Sequence, residues 1–327
     1  MAGGASSDHS DTEGAGAATP GSADGLRTTA GAYAELVRVP NLFTAPPDVI
    51  LGASLAAVAD IGVESSLLRV GGLAVASALL YAGGTTLNDA FDAPADARER
   101  PERPIPSGRV SRRAAFGLGT GFLLAAVGLA FVVAGVPAAV AAGLIAAAIV
   151  AYDGLLKGSA GGFLAMGATR GLNVVLGTTA AGGVVLEFPL RSLAVPVVVT
   201  GYVAAVTFMA ARETEGENRG AVAVAAGGAI AAAFVVGWYL MVVEPPRLEA
   251  ALALAFAAAF GWWVGRPLRA AYADPVPETV GPAVGACVLG LALLDAAFAS
   301  AVGVGWGFTA GAFLLPAVGL ARVFDVT

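Results

Sequence analysis

The feature that most constrains this chain is a run of 39 residues, 114–152, that contains no charged side chain. One crossing of a bilayer takes about 20 apolar residues in a helix, so the run is long enough for two crossings. Gly135-Val136-Pro137, near its middle, supplies a turn between them. Because only helices and closed barrels satisfy their backbone hydrogen bonds in lipid, the run indicates a helical membrane protein.

Charge-free apolar stretches continue on both sides of this run and predict nine or ten transmembrane helices. Hydrophobic residues make up 57% of the chain and charged residues 13%, whereas soluble domains are roughly 25% charged. We therefore predict an all-α, polytopic membrane helical bundle over residues 31–327, preceded by a disordered acidic Gly/Ala/Ser tail, 1–30. The predicted spans are 40–59, 69–88, 113–134, 137–152, 160–185, 192–211, 220–243, 250–265, 279–302 and 304–322.

The placement of Arg and Lys predicts the orientation of the bundle. With ten spans, 14 basic residues fall on the side of the N-terminus, three fall on the other side, and Arg170 lies within a span. Cytoplasmic loops carry the excess of Arg and Lys in membrane proteins. We therefore expect a multi-pass protein of the cell membrane, with both termini and the polar loops of that side in the cytoplasm.

Two rare residue types limit the chemistry. The single His, His9, lies in the polar tail, and the single Cys, Cys287, lies in an apolar stretch. Histidine catalysis, Cys zinc clusters and intrachain disulfides are thereby excluded or strongly disfavoured. The net charge of −6 also gives no support for a nucleic-acid partner, which requires a basic surface. Chemistry must rest on carboxylates, Arg, Tyr, Asn and the single Lys, Lys157.

The first polar loop carries the clearest candidate site. If the second predicted span continues as a helix, Asp89, Asp92 and Asp96 fall within an arc of about 60°, although Pro94 lies among them, where a helix often ends or kinks. Carboxylates on one face repel each other unless a cation lies between them. Oxygen-only ligands suit Mg²⁺, which is usually shared with substrate phosphates, and Arg103 follows to bind phosphate oxygens.

A second acidic loop lies on the same predicted side of the membrane. Glu213 and Glu217 are spaced i, i+4 and are flanked by Arg212 and Arg219. Acidic loops between membrane helices are often simply solvated. The pairing of this loop with the first by position favours a functional interpretation, in which the two clusters hold Mg²⁺ ions that bridge a diphosphate.

Arg170 and Asn173 lie within a predicted span, spaced i, i+3 on one helix face. An intramembrane Arg is costly and is usually functional or paired. Two interpretations stay open: the two residues line a cavity wall near substrate, or they form a buried structural pair.

Taken together, these motifs resemble the UbiA superfamily of intramembrane prenyltransferases, from about residue 34 to the C-terminus. The Glu-bearing second loop is similar to the EboC-like branch. The resemblance rests on Asn88-Asp89-x-x-Asp92-x-x-x-Asp96, Arg103-Pro104-Ile105-Pro106-Ser107-Gly108, Tyr152 with Lys157, Arg170-x-x-Asn173 and Leu36-Val37-Arg38-x-Pro40-Asn41.

The resemblance implies a bundle around a central cavity that binds Mg²⁺ and a prenyl diphosphate on its cytoplasmic side. Its implied metal ligands are Asp89, Asp92, Asp96, Glu213 and Glu217, the last two standing where the family usually shows Asp. Its implied catalytic residues are Asp89, Asp92, Arg103 and Lys157. Its implied substrate-binding residues are Asn88, Arg103, Tyr152, Lys157, Arg170, Asn173, Arg212 and Arg219.

The expected function is Mg²⁺-dependent transfer of a prenyl group to a lipophilic or aromatic acceptor within the membrane. The expected partners are the two substrates and the bilayer, with no nucleic acid and no obligate protein partner. Two alternatives stay open: a non-catalytic prenyl-lipid carrier on the same fold, and an ion-coupled transporter. Transporter sites usually lie near the bilayer midplane, whereas these carboxylates cluster at one membrane face.

Overall fold

The computed structural model describes residues 22–58, 67–182, 190–213 and 218–324, and the regular structure in those ranges is helical throughout. The predicted all-α class is thereby confirmed. The helices are α1 (Ser22–Val37), α2 (Val39–Leu42), α3 (Pro46–Val58), α4 (Leu67–Glu99), α5 (Arg112–Ala151), α6 (Ala160–Thr178), α7 (Leu190–Ala211), α8 (Arg219–Val243), α9 (Arg247–Ala273), α10 (Pro277–Ser300), α11 (Val304–Ala312) and α12 (Leu314–Phe324).

Helix α5 folds back on itself at Gly135, as the charge-free run predicts. Its 40 residues would span about 60 Å if straight, twice the hydrocarbon core of a bilayer. Gly135 has φ 78° and ψ −162°, a conformation open to glycine. Adjacent glycines of α4 face both legs, since a Cβ at Gly83 would lie 2.7 Å from Leu123 and one at Gly84 would lie 3.4 Å from Ile149. The two legs are therefore antiparallel.

Six helices in the described ranges are long and apolar enough to cross a membrane: α4, α5, α7, α8, α9 and α10. Helices α3 and α6 are shorter, at 13 and 19 residues. The last predicted span is divided at Phe313 into α11 and α12. Over the described residues, each predicted span thus overlaps a helix, a leg of α5 or a pair of short helices. Residues 59 and 183–185 of the predicted spans lie outside the described residues, and the count of nine or ten is approximate.

Two helix boundaries differ from the sequence predictions, namely the start of α1 and the end of α4. Helix α1 begins at Ser22, within the predicted tail, and residues 1–21 lie outside the described residues. Helix α4 continues through Pro94 to Glu99. Its acidic motif therefore lies on one uninterrupted helix.

The loops of the bundle gather at two ends. At one end the last turns of α4 meet the turn after α5, where Asn88 Nδ2 donates to Asp153 Oδ1 over 2.6 Å. At the same end Arg219, at the start of α8, donates to the carbonyl of Ala273, at the end of α9. Both acidic loops follow helices that run toward this end. The C-terminal half of helix α10 lies inside the bundle, with every residue from 290 to 300 buried.

Candidate functional site

Two arginines neutralise the first and last aspartates of the α4 motif. Arg38 Nη2 lies 2.8 Å from Asp89 Oδ1, and Arg103 Nη1 lies 3.7 Å from the same oxygen. Arg103 Nη1 also lies 2.8 Å from Asp96 Oδ2. Burial lowers the pKa of Arg38, but the combined attraction of Asp89, Tyr81 and Asp96 raises that pKa above its ordinary value. The carboxylates and guanidiniums therefore form one compact charged network.

The middle aspartate of the motif is paired with the single lysine of the chain. Lys157 Nζ bonds to Asp92 Oδ2 and lies 5.9 Å from the centroid of the Tyr152 ring. Both Tyr152 and Lys157 belong to a tight turn after α5, whose first five residues, Tyr152–Leu156, are π-helical. Such turns recur at functional sites. The structure thus brings together the first motif, Arg103, Tyr152 and Lys157, and their roles in catalysis and binding stay predictions.

Arg38 is held in a backbone conformation that few non-glycine residues adopt. Its φ of 53° and ψ of 56° are left-handed, which costs of order 1–3 kcal/mol and tends to persist at functional sites. The turn at Arg38 joins α1 to α2 and directs the guanidinium toward Asp89. Arg38 belongs to one of the sequence motifs, but no local pattern indicates a role for it.

A cavity of about 330 Å³ opens among α4, the second leg of α5, α6, α7 and α10. That volume lies within the range of small-molecule sites. Its wall is mostly apolar and includes the rings of Tyr81, Tyr152 and Tyr202. The polar residues at one end are Arg38, Thr85, Asn88 and Asp153. The predicted central cavity is therefore present, with the charged network of α4 beside its polar end.

Arg170 and Asn173 line the same cavity and are also held in a buried network. Arg170 Nε lies 3.1 Å from Asp48 Oδ2, and Arg170 Nη2 donates to the carbonyl of Thr44. Asn173 Nδ2 donates to Asp48 Oδ2 over 3.0 Å and to Ser77 Oγ over 2.7 Å. Both interpretations left open by the sequence are thus compatible, because a cavity-lining pair is fixed by structural partners.

The second acidic loop is described in part. Glu213 lies against α10, where a Cβ at Gly281 would be 2.9 Å from its Oε1. The Arg212 guanidinium lies 5.3 Å from the centroid of the Phe208 ring. Glu217 lies outside the described residues. The end of α7 reaches the cavity through Thr207 and Ala210, so the loop begins next to the site, and its metal-binding role stays a prediction.

The carboxylate oxygens of the α4 motif suit a Mg²⁺ ion that is shared with a phosphate better than a Mg²⁺ ion enclosed by protein ligands alone. Among the described residues, no three acidic, Cys or His side chains converge to hold a metal ion by themselves. Magnesium usually takes one or two carboxylates and completes its shell with water and substrate phosphates. Asp89, Asp92 and Asp96 carry oxygens of this kind, and Arg38, Arg103 and Lys157 lie beside them.

One cavity residue, Asp153, is missed by the sequence motifs. It is 8% exposed, lines the cavity and accepts a hydrogen bond from Asn88. A simple signal marks it: Asp153 is the first charged residue after the 39-residue charge-free run. A charge placed directly at the end of an apolar span is a reasonable site candidate.

Comparison with known proteins identifies a curated relative and solved structures of similar fold. One curated relative, digeranylgeranylglyceryl phosphate synthase of Methanopyrus kandleri, is 36% identical over 129 residues, which are 39% of this chain and 45% of that protein. The chain thus aligns with less than half the length of this relative.

Solved structures share the fold at low sequence identity. A UbiA homologue from Archaeoglobus fulgidus bound to GPP and Mg²⁺ superposes with a TM-score of 0.60 at 14% identity, covering 86% of this chain and 99% of that one. The apo structure of a UbiA homologue from Aeropyrum pernix gives 0.59 at 18% identity, covering 79% and 96%. Residues 49–273, well over half of the chain, match the UbiA prenyltransferase family. This chain therefore belongs to the UbiA prenyltransferase family.

Proposed function

We propose that this prenyltransferase moves a prenyl group from a prenyl diphosphate to a lipophilic acceptor inside the membrane, in a reaction that requires Mg²⁺. The observation that carries the proposal is the charged network of Asp89, Asp92, Asp96, Arg38, Arg103 and Lys157 beside the polar end of an apolar cavity. A diphosphate head group matches the network, and a prenyl chain matches the cavity.

The basic residues of the network would bind and stabilise the leaving diphosphate. Mg²⁺ ions, each held by one or two of the carboxylates of Asp89, Asp92 and Asp96, would supply positive charge to the phosphate oxygens. The same carboxylates are paired with Arg38, Arg103 and Lys157. These three side chains would donate hydrogen bonds to the phosphate oxygens. As the allylic C–O bond breaks, negative charge collects on the diphosphate, and fixed cations aimed at it favour the bond breaking.

The cavity would protect the allylic cation that forms. Its wall excludes water through apolar residues of five helices, which prevents premature capture. Tyr81 and Tyr152 line the cavity, and aromatic rings attract a cation close to their faces. Arg170 and Asn173 fix the far part of the wall through their bonds to Asp48 and Ser77.

The comparisons support the donor substrate and the metal. Homologues of known structure are bound to DMAPP and Mg²⁺ or to GPP and Mg²⁺. The excess of Arg and Lys on one side of the predicted spans supports a cytoplasmic position for both acidic loops and both termini. Prenyl diphosphates are water-soluble enough at their head group to enter from that side.

The first prediction tests the proposal with the full chain in lipid nanodiscs. Geranyl diphosphate, Mg²⁺ and lipophilic acceptors supplied with the lipid should yield prenylated product and free diphosphate, and EDTA should stop the release. Asp92→Asn should lower the rate by about 10²–10³, the usual loss when a group that stabilises developing charge is removed. Asp274→Asn, an exposed carboxylate between α9 and α10, should have no effect.

Two results would contradict this assignment. Release that persists in EDTA would remove the metal from the reaction. Tight binding of geranyl diphosphate without any bond cleavage would favour the prenyl-lipid carrier.

A further inference from the structure

We propose that Asp153 is the general base of this reaction and that the acceptor is an alcohol, whose hydroxyl group Asp153 binds and deprotonates. The inference rests on the prenyl transfer proposed above and adds a catalytic residue and a substrate class to it.

The position of Asp153 distinguishes it from the motif aspartates. Among the described residues that line the cavity, Asp153 is the one carboxylic acid. Asp89, Asp92 and Asp96 lie outside that lining, beside its polar end. An acceptor inside the cavity therefore meets the carboxylate of Asp153 and not those of the motif.

The partners of Asp153 also differ from those of the motif. Asp89 and Asp96 bond to guanidinium groups, and Asp92 bonds to Lys157. Asp153 Oδ1 accepts a hydrogen bond of 2.6 Å from Asn88 Nδ2, a neutral amide. An ionised carboxylate offers about four lone-pair sites, so this bond orients the group and leaves sites for an acceptor hydroxyl.

The other polar groups of the cavity are poor candidates for a base. Arg38 and Arg170 are cations held by Asp89 and Asp48. Several of the neutral hydroxyls in the described lining donate to backbone carbonyls, and a neutral hydroxyl is a weaker base than a carboxylate. These bonds run from Thr85 to Val37, from Thr169 to Met166, from Thr207 to Val203 and from Tyr202 to Cys287.

The reaction balances with Asp153 as the proton acceptor. The C1–O bond to the diphosphate breaks and its electron pair leaves with the diphosphate. The acceptor oxygen then forms a bond to C1, and its hydroxyl proton passes to the Asp153 carboxylate and from there to water. Without a base, the protonated ether can lose the acceptor again and the cation can return to the diphosphate.

The charge of Asp153 also selects among acceptors. An acidic acceptor group placed at this carboxylate would bring two like charges together, which disfavours binding. A hydroxyl group gains a charge-assisted hydrogen bond at the same place. Of these two kinds of acceptor group, the neutral hydroxyl of an alcohol is therefore the one that Asp153 favours.

The second prediction separates bond breaking from proton transfer. The full chain in nanodiscs receives Mg²⁺ and geranyl diphosphate with ¹⁸O in the bridging position, and movement of the label to non-bridging positions reports reversible C–O cleavage. Asp153→Asn, which preserves the size of the side chain, should keep this exchange within about threefold. With 1-O-hexadecylglycerol as the acceptor probe, ether formation should fall by about 10²–10⁴, the usual share of a general base.

A second variant and a surface control accompany the test. Asp153→Ser removes the carboxylate without adding an amide and should give the same result, and Asp274→Asn should resemble the wild type. The proposal is overturned if Asp153→Asn forms ether at the wild-type rate, or if it loses isotope exchange and ether formation equally, which would place Asp153 in the diphosphate site. Two results with a wild-type enzyme that exchanges the label would also overturn it. One is prenylation of 4-hydroxybenzoate only at a ring carbon, and the other is no prenylation of any hydroxyl probe. A wild type that shows neither isotope exchange nor prenylation of any probe would instead reject the proposed function itself.

Discussion

At the residue scale, the most costly feature is a charged cluster buried in the middle of the bundle. Asp48 and Asp295 are both 0% exposed, and Arg170 is paired with Asp48. The Asp295 carboxyl lies beside that of Asp48, and neither Asp295 oxygen meets a hydrogen-bond donor of the described chain. One arginine offsets one carboxylate, so the cluster contains one acidic group more than charge balance requires.

The third prediction follows from this excess. Asp48→Asn and Asp295→Asn should each cost little stability, because the other acid still faces Arg170. The double variant should lose about 3–5 kcal/mol, since it leaves a buried guanidinium without a counter-charge. Thermal and denaturant unfolding in detergent would measure the three variants. A double variant that merely adds the two single losses would contradict the shared counter-charge.

At the element scale, the floor of the cavity depends on the close crossing of α3 and α6. A Cβ at Gly52 would overlap the carbonyl oxygen of Val174, and one at Gly177 would overlap that of Val49. Small residues let membrane helices approach this closely and pack. The crossing places Asp48 of α3 within hydrogen-bond distance of Asn173 of α6.

The fourth prediction tests this crossing. Gly52→Ala should destabilise the protein by about 1–3 kcal/mol or more, because the added methyl group must push two backbones apart. Gly227→Ala is the matched control, since a Cβ at Gly227 of α8 meets nothing within 4 Å. Unfolding in detergent should show a loss for the first variant and no loss for the second. Equal stability of the two would show that the helices separate without cost.

At the scale of the whole molecule, the helices alternate in direction and bring the chemistry to one end. The α4 motif contacts the turn after α5, more than fifty residues away in the chain. At the opposite end, Arg69 at the start of α4 lies near Gly182 after α6. An arrangement with one reactive end allows a water-soluble head group and a lipid tail to meet at the membrane surface.

The fifth prediction concerns the orientation of that end. In a Cys287→Ala background, Ser107→Cys lies in the loop after α4 and Leu248→Cys lies at the start of α9. A membrane-impermeant maleimide should label Ser107→Cys in inside-out vesicles and Leu248→Cys in right-side-out vesicles, because the basic loops remain in the cytoplasm. The reverse pattern would place the site on the outer face.

The sequence by itself determined the features that depend on local pattern. The charge-free run required two helical crossings, and the turn at Gly135 follows from its length and from glycine. The spacing of Asp89, Asp92 and Asp96 is enough to place them on one face of a helix. These outcomes follow because hydropathy and helical periodicity act over neighbouring residues.

Only the tertiary structure decided which groups meet. Arg38 and Asp89 are 51 residues apart in the chain, and Asn88 and Asp153 are 65 apart. Their pairing depends on how α4 packs against the α1–α2 turn and the end of α5, which no local pattern specifies. Asp153, the one acid among the described residues that line the cavity, therefore takes its place in the site only through the assembly of the helices.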